Sequence, residues 1–156
     1  MVSLDLAEYE LEGLVNAGRI AVCDDPDAVS LPLERRFRFA AGQLQWSDAK
    51  EIKRISPPAS RRAGADHQAT DFKTKDWLIE VKRFIDSLGL NGDETVYLAS
   101  EFSDFVVFSL KMEEVAELLD KVHDLPSHKY IFPADASWCI HWSFEDEVVY
   151  GEPNDK

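Results

Sequence analysis

The chain has 156 residues, the length of one domain, and its 45% hydrophobic content with four tryptophans is that of a globular protein with an ordinary core. Its 30 acidic residues outnumber 17 basic ones, so the net charge is −13. This charge disfavours nucleic acid, whose binding depends on Lys and Arg displacing phosphate counterions, and it disfavours the anionic cytoplasmic leaflet of a membrane.

The N-terminal third predicts a helix, a strand and a turn. Ser3 can cap a helix over residues 4–17, which has an apolar face and Gly18 at its end. The short apolar run 20–23 predicts a strand. The segment 24–27 carries three aspartates around a proline and predicts a turn.

A basic stretch follows, in which phenylalanines alternate with arginines over residues 36–40. With Leu44 and Trp46 continuing the alternation after Gly42, the pattern predicts a β-hairpin around residues 41–42. Cations interleaved with aromatics also occur in RNA-stacking strands, but alternation alone explains the pattern, with Phe inward and Arg outward on an edge strand, and we expect no nucleic-acid partner. Residues 56–69 mix Pro, Gly, Ser and charge without periodicity and predict a mobile loop.

The second half of the chain predicts two helices and five strands. One helix opens at Thr70 or Asp71, runs to residue 88 and ends at Gly89. The other predicted elements are a helix at 112–123 and strands at 95–99, 105–110, 130–132, 138–144 and 148–150. Short turns between consecutive strands imply antiparallel pairing, so we expect a single α+β domain with a mainly antiparallel sheet and about three helices.

No catalytic signature occurs in the chain. Nucleophile-elbow, P-loop, dinucleotide-binding and H-E-x-x-H motifs are all missing, which favours a protein that is not an enzyme and has no cofactor. Cys139 and His141 are two apart on a predicted strand and could share a metal, but they are short of ligands, so we expect no metal site. Free thiols at Cys23 and Cys139, no signal-peptide pattern and no long apolar run predict a cytosolic protein.

Acidic clusters supply the candidate partner site. Each could serve only to solubilise a loop, but a Lys- and Arg-rich protein would use them as electrostatic partners. Trp142 and His141 would anchor such an interface if their strand end were exposed. The candidate partner-binding residues are Asp24, Asp25, Asp27, Asp93, Glu94, Glu101, Asp104, His141, Trp142, Glu145, Asp146 and Glu147.

Residues 130–151 combine an apolar run, a short loop leading to Trp138-Cys139, an acidic hairpin and a closing Tyr150-Gly151. This segment resembles the C-terminal end of bacterial immunity proteins that accompany contact-dependent-inhibition and other polymorphic toxins. The resemblance implies a cytosolic, non-enzymatic protein that binds and neutralises a cognate toxin domain. Many such toxins are basic nucleases, which would match the charge of this chain. A small enzyme or regulatory domain of another family is the alternative.

Overall fold

The computed structural model describes residues 10–40, 43–57, 67–101, 105–125, 128–143 and 145–154, with the backbone alone described for 67–74, 101 and 105. Within these residues five helices accompany nine strands. The helices are α1 (Glu12–Asn16), α2 (Pro26–Arg36), α3 (His67–Ser87), α4 (Met112–Glu117) and α5 (Leu119–Asp124). The strands are β1 (Ile20–Val22), β2 (Arg38–Ala40), β3 (Gln43–Gln45), β4 (Ala49–Ile55), β5 (Thr95–Glu101), β6 (Phe105–Lys111), β7 (Lys129–Pro133), β8 (Cys139–Trp142) and β9 (Val148–Pro153).

Seven strands form one antiparallel sheet in the order β1-β6-β5-β7-β8-β9-β4, and β2 pairs with β3 as a separate hairpin. Consecutive strands β5–β6, β7–β8 and β8–β9 are neighbours, as short connections require. The two edges come from the first part of the chain, because β1 pairs with β6 and β4 pairs with β9. The predicted α+β class with a mainly antiparallel sheet is confirmed.

Both faces of the sheet are covered by other elements. Because side chains alternate between the two faces along each strand, a strand in the middle of the sheet is buried at every position. On one face, here called the helix side, α3, α4 and α5 cover the sheet through Trp77, Val81 and Val115. On the other, the hairpin side, α2 and the β2–β3 hairpin cover it through Leu33 and Leu44. Strands β7 and β8 are buried throughout for this reason.

One prediction in the first half of the chain is wrong, and one strand there was missed. Residues 24–27 do not form a turn: Asp25 caps α2, which continues through Pro32 to Arg36. Strand β4 was not predicted and forms an edge of the main sheet.

The predicted helices are present with changed ends. Helix α3 starts at His67, so residues 67–69 are helical and not part of a loop. The helix predicted at 112–123 breaks at Leu118 into α4 and α5. The helix predicted at 4–17 is described only from residue 10 and contains α1; its Ser3 cap and the rest of the predicted loop, residues 58–66, lie outside the described residues. No described helix is both long enough and apolar enough to cross a bilayer.

Candidate partner-binding site

Three acidic segments meet the main sheet at the same end. Strands β1 and β5 run in the same direction, each antiparallel to β6 between them, so Val22 and Glu101 finish at this end. Strand β8 finishes here too, because it is antiparallel to β7, which is antiparallel to β5. We call this part of the molecule the acidic end. It comprises residues 24–27, 101 and 145–147.

The acidic end is narrow enough for one partner to cover. Strands β1 and β8 are four steps apart in the sheet, which at about 4.8 Å per step is about 19 Å. A protein interface of ordinary size covers about 800 Å² on each partner, a patch roughly 30 Å across. Segments far apart in sequence can therefore contact a single surface.

Asp93 and Glu94 lie at the opposite end, directly before β5. The carbonyl of Glu94 accepts a hydrogen bond from Met112 N at 2.9 Å, which holds this pair of residues against the start of α4. Asp93 and Glu94 were grouped with the other acidic clusters because of their charge, but in the fold they lie at the opposite end of the sheet. Asp104 lies outside the described residues, and only the backbone of Glu101 is described.

The first acidic segment begins helix α2. Asp25 Oδ1 accepts a hydrogen bond from Ala28 N at 3.2 Å, so this carboxylate caps the helix. Asp24 and Asp27 are exposed, and in the described part of the chain their carboxylates form no hydrogen bond or ion pair. These two carboxylates are open to a partner, whereas Asp25 is engaged in the fold.

Exposed apolar side chains accompany these aspartates. Val22, the last residue of β1, is 44% exposed, and Leu31 on α2 is 39% exposed. Leu31 follows Asp27 by four residues, so the two share one face of the helix. Leu31 lies on α2, which covers the hairpin side, whereas Val22 follows Ile20 by two residues and so shares the helix side. Leu31 is therefore the exposed apolar side chain that shares the surface of Asp27, and protein interfaces combine such apolar contacts with a polar rim.

The second acidic segment is a tight turn between β8 and β9. Ser143 N donates to Glu147 O at 2.8 Å, and Glu147 N donates to Ser143 Oγ at 3.1 Å. Asp146 has a φ of 69°, a left-handed conformation that aspartate tolerates better than most residues. The predicted hairpin loop at 145–147 is confirmed.

Two carboxylates of this turn have partners within the protein. Asp146 Oδ1 lies 3.3 Å from His123 Nε2. Glu147 accepts a hydrogen bond from Ser56 Oγ at 2.9 Å and lies 3.7 Å from an Arg54 guanidinium nitrogen. The turn therefore presents less unpaired charge than the start of α2 does.

His141 and Trp142 are part of the core. Trp142 is 0% exposed and packs on the helix side, and His141 is 6% exposed on the hairpin side. The imidazole of His141 stacks on Tyr130, with ring centroids 4.6 Å apart and planes at 14°. The condition under which these residues would anchor a partner, exposure at the strand end, is not met.

A buried lysine lies beneath the acidic end. Lys129 is 3% exposed, and its Nζ donates to the carbonyls of His123 and Leu125 at 3.2 Å each. These carbonyls end α5, where the helix dipole favours a cation. Burial lowers the pKa of Lys129 to about 8, and the ammonium lies 5.4 Å from the centre of the Trp142 ring.

Two histidines adjoin this lysine. His128 Nδ1 and His141 Nε2 are 3.0 Å apart, so one ring donates a proton to the other and their tautomers are complementary. Burial lowers the pKa of both rings, that of His141 to about 3, and the charge of Lys129 acts in the same direction. Sequence reasoning missed this cluster. Its one local signal is Lys129 placed directly before an apolar run.

Cys139 and His141 point to the same face, as their spacing predicts, but they do not suit a metal. Burial raises the pKa of the Cys139 thiol, whereas a metal needs the thiolate. His141 already uses Nε2 in its contact with His128. Among the described residues, no three His, Cys, Asp or Glu side chains are grouped to hold an ion. Both cysteines are free, Cys139 buried and Cys23 half-buried.

No protein-family model matches the chain, and a search of curated proteins finds no significant match. Function is therefore inferred from the charge, exposure and contacts of the described residues.

Proposed function

We propose that this chain is a cytosolic, non-enzymatic inhibitor that binds a basic toxin domain through its acidic end and covers it. The observation that carries the proposal is the pair of exposed carboxylates Asp24 and Asp27, which form no hydrogen bond or ion pair within the described residues, with the exposed side chain of Leu31 one helical turn from Asp27. A nuclease domain is the partner class that fits best, because a surface that binds nucleic-acid phosphates is rich in Lys and Arg.

Charge and apolar area have different roles in this proposal. Unpaired carboxylates at the start of α2 attract a cationic surface and accelerate encounter. Affinity comes mainly from a few well-packed side chains near the centre of an interface, a role that suits Leu31. Asp146 and Glu147 already contact His123 and Arg54, so they act at the rim.

The resemblance of residues 130–151 to immunity proteins of polymorphic toxins agrees with this role. In the structure these residues supply β7, β8 and β9, which form the centre of the sheet and not its surface. The similarity therefore concerns mainly the framework and the acidic turn at 145–147, while the central proposed contacts come from the β1–α2 region.

A catalytic alternative would use the hydrogen-bonded pair His128 and His141 with Lys129. Two imidazoles and an amine can serve as acid, base and anion stabiliser. Burial opposes this use, because the His141 ring is stacked on Tyr130 and contacts His128, which leaves little area for a substrate.

The test is protection of cells that express a basic toxin domain found encoded beside this gene. Wild-type protein should restore growth, and the variant Asp24→Lys/Asp27→Lys should fail to do so. The matched control, Asp93→Lys/Glu94→Lys, carries the same charge change at the opposite end and should protect fully. Circular dichroism of each variant verifies that the fold is kept.

Two outcomes contradict the proposal at different levels. Equal protection by the α2 variant and the wild type would exclude the acidic end as the interface. A chain with no upstream toxin domain, and no binding to a panel of basic nuclease toxin domains, would exclude the inhibitor function itself.

A further inference from the structure

A positively charged groove lies at the far end of α2 from the acidic end. It has a volume of about 270 Å³ and is lined by Arg35 and Arg36 at the C-terminus of α2 and Arg38 on β2. Asp48, Ala49 and Asn154 complete its polar and backbone rim. Helix α2 has 11 residues, so the groove is about 16 Å from the residues that begin the helix.

Contacts to protein oxygens orient two of the guanidinium groups. Arg36 donates to the carbonyl of Asp135 at 2.9 Å, and Arg38 donates to Asp48 Oδ2 at 3.3 Å. A guanidinium carries five N–H donors, so the contact with Asp48 orients the Arg38 group and leaves other donors of Arg38 for a ligand. Arg35 is exposed and, within the described residues, forms no hydrogen bond or ion pair.

The local charge is opposite to that of the molecule. Three arginines and one carboxylate, Asp48, line the groove in a protein of net charge −13, and the carboxylate of Asp135 lies close enough to Arg36 to interact with its charge. A helix C-terminus attracts cations, which is sufficient reason for Arg35 and Arg36. It does not explain Arg38, which comes from a different element and converges on the same groove.

We propose that this groove is a binding site for a compact phosphate-bearing anion. The planar fork of arginine matches the geometry of phosphate oxygens and binds them in pairs. The groove, with a volume of about 270 Å³, has room for a small anion. A polynucleotide is disfavoured, because the remaining surface of the molecule repels its phosphates.

The site is independent of the proposed inhibitor function. It lies at the other end of α2 from Asp24 and Asp27, so its success or failure says nothing about toxin binding. Inorganic phosphate and pyrophosphate are suitable probes, and amide and guanidinium NMR shifts report their binding. Pyrophosphate should bind more tightly than phosphate, because its two phosphate groups can engage more of the three arginines.

Substitutions in the groove provide the sharpest test. Arg35→Gln/Arg38→Gln should weaken pyrophosphate binding about tenfold or more, since a hydrogen bond to a charged group contributes about 1.5–3 kcal/mol. Lys53→Gln removes an exposed cation from β4 outside the groove and should change affinity less than about twofold, as expected for a screened surface charge. Asp48→Asn removes the competing carboxylate and should tighten binding, whereas Asp76→Asn, on α3, should not.

Any of three results would overturn the proposal. The first is no change in the groove resonances with about 10 mM of either probe, a concentration that detects affinities near −3 kcal/mol. The second is equal weakening by the arginine variant and by Lys53→Gln, which would indicate unspecific charge attraction. The third is weaker or unchanged binding in Asp48→Asn.

Discussion

His141 is held neutral in the folded protein. Its ring is buried between Tyr130 and His128, and the ammonium of Lys129 adds a positive charge nearby. The pKa of His141 falls from the ordinary 6.5 to about 3. Below pH 6.5 the unfolded chain therefore binds a proton at this residue that the folded protein does not bind. Stability contributed by neutral His141 is complete above pH 6.5 and is lost as the pH falls toward 3.

We predict that His141→Phe reduces the pH dependence of stability on the acid side. Phe keeps a ring against Tyr130 but has no site to protonate. The slope of the unfolding free energy against pH should therefore decrease between pH 6 and 4 by the equivalent of about one proton, or about 1.4 kcal/mol per pH unit. Urea unfolding at several pH values measures the slope, with the exposed substitution Asp76→Asn as control. Identical slopes for wild type and His141→Phe would show that His141 is protonated in the folded state.

Gly151 is required by the packing of Trp46. A Cβ atom at this position would lie well inside van der Waals contact of the Trp46 ring carbon Cζ3. We predict that Gly151→Ala lowers the free energy of unfolding by about 1–3 kcal/mol, the usual cost of overpacking. Gly13→Ala is the matched control, because a Cβ there meets nothing within 4 Å and Ala favours helix α1. Chemical denaturation should show that only Gly151→Ala is destabilising.

Asp25 caps the N-terminus of helix α2. Asp25 therefore contributes to folding, whereas Asp24 and Asp27 are proposed to contribute to binding. Loss of the 3.2 Å bond to Ala28 N in Asp25→Ala should cost about 1 kcal/mol of stability. Asp24→Ala should cost less than about 0.5 kcal/mol, since its exposed carboxylate has no such bond. Thermal unfolding of the two variants tests this order. Equal losses would mean that Asp25 does not cap the helix in solution.

The sequence pattern did not predict helix α2 or strand β4, and the physical reasons can be identified. Helix α2 buries only Ser30 and Leu33, so it has no apolar stripe at helical spacing. Pro32 also removes an N–H that would bond to a carbonyl one turn earlier, and the Asp-Pro step at its start is typical of turns. Strand β4 has five consecutive exposed residues and therefore shows no alternation.

Most other elements could be predicted, because each buries a regular set of side chains. Trp77, Val81 and Ile85 mark α3 at helical spacing, and Trp138, Ile140 and Trp142 mark β8 by alternation. The candidate site could be predicted only as a set of acidic segments. Their meeting at one end depends on β1 pairing with β6 across a gap of 82 residues, which no local pattern shows.

Charge is distributed unevenly over the molecule. Carboxylates lie at the acidic end and also at the opposite end, at Asp93 and Glu94, while three arginines line a groove at the C-terminus of α2. In the proposed function, the carboxylates at the start of α2 attract a cationic protein before contact, so that it meets the β1–α2 region first. Orientation of this kind affects the association rate more than the dissociation rate.

We therefore predict that association with a basic toxin domain slows steeply as salt rises. The Debye length falls from about 30 Å at 0.01 M to about 3 Å at 1 M, so the acidic end stops acting at a distance. Steered association reaches about 10⁸–10⁹ M⁻¹s⁻¹ at low salt and should approach about 10⁵–10⁶ M⁻¹s⁻¹ at 1 M, as measured by stopped-flow fluorescence. Asp24→Asn/Asp27→Asn should reduce this salt dependence, and Asp93→Asn/Glu94→Asn should reduce it less, because those side chains lie at the other end. An association rate independent of salt, or equally affected by both variants, would mean that the acidic end does not steer the encounter.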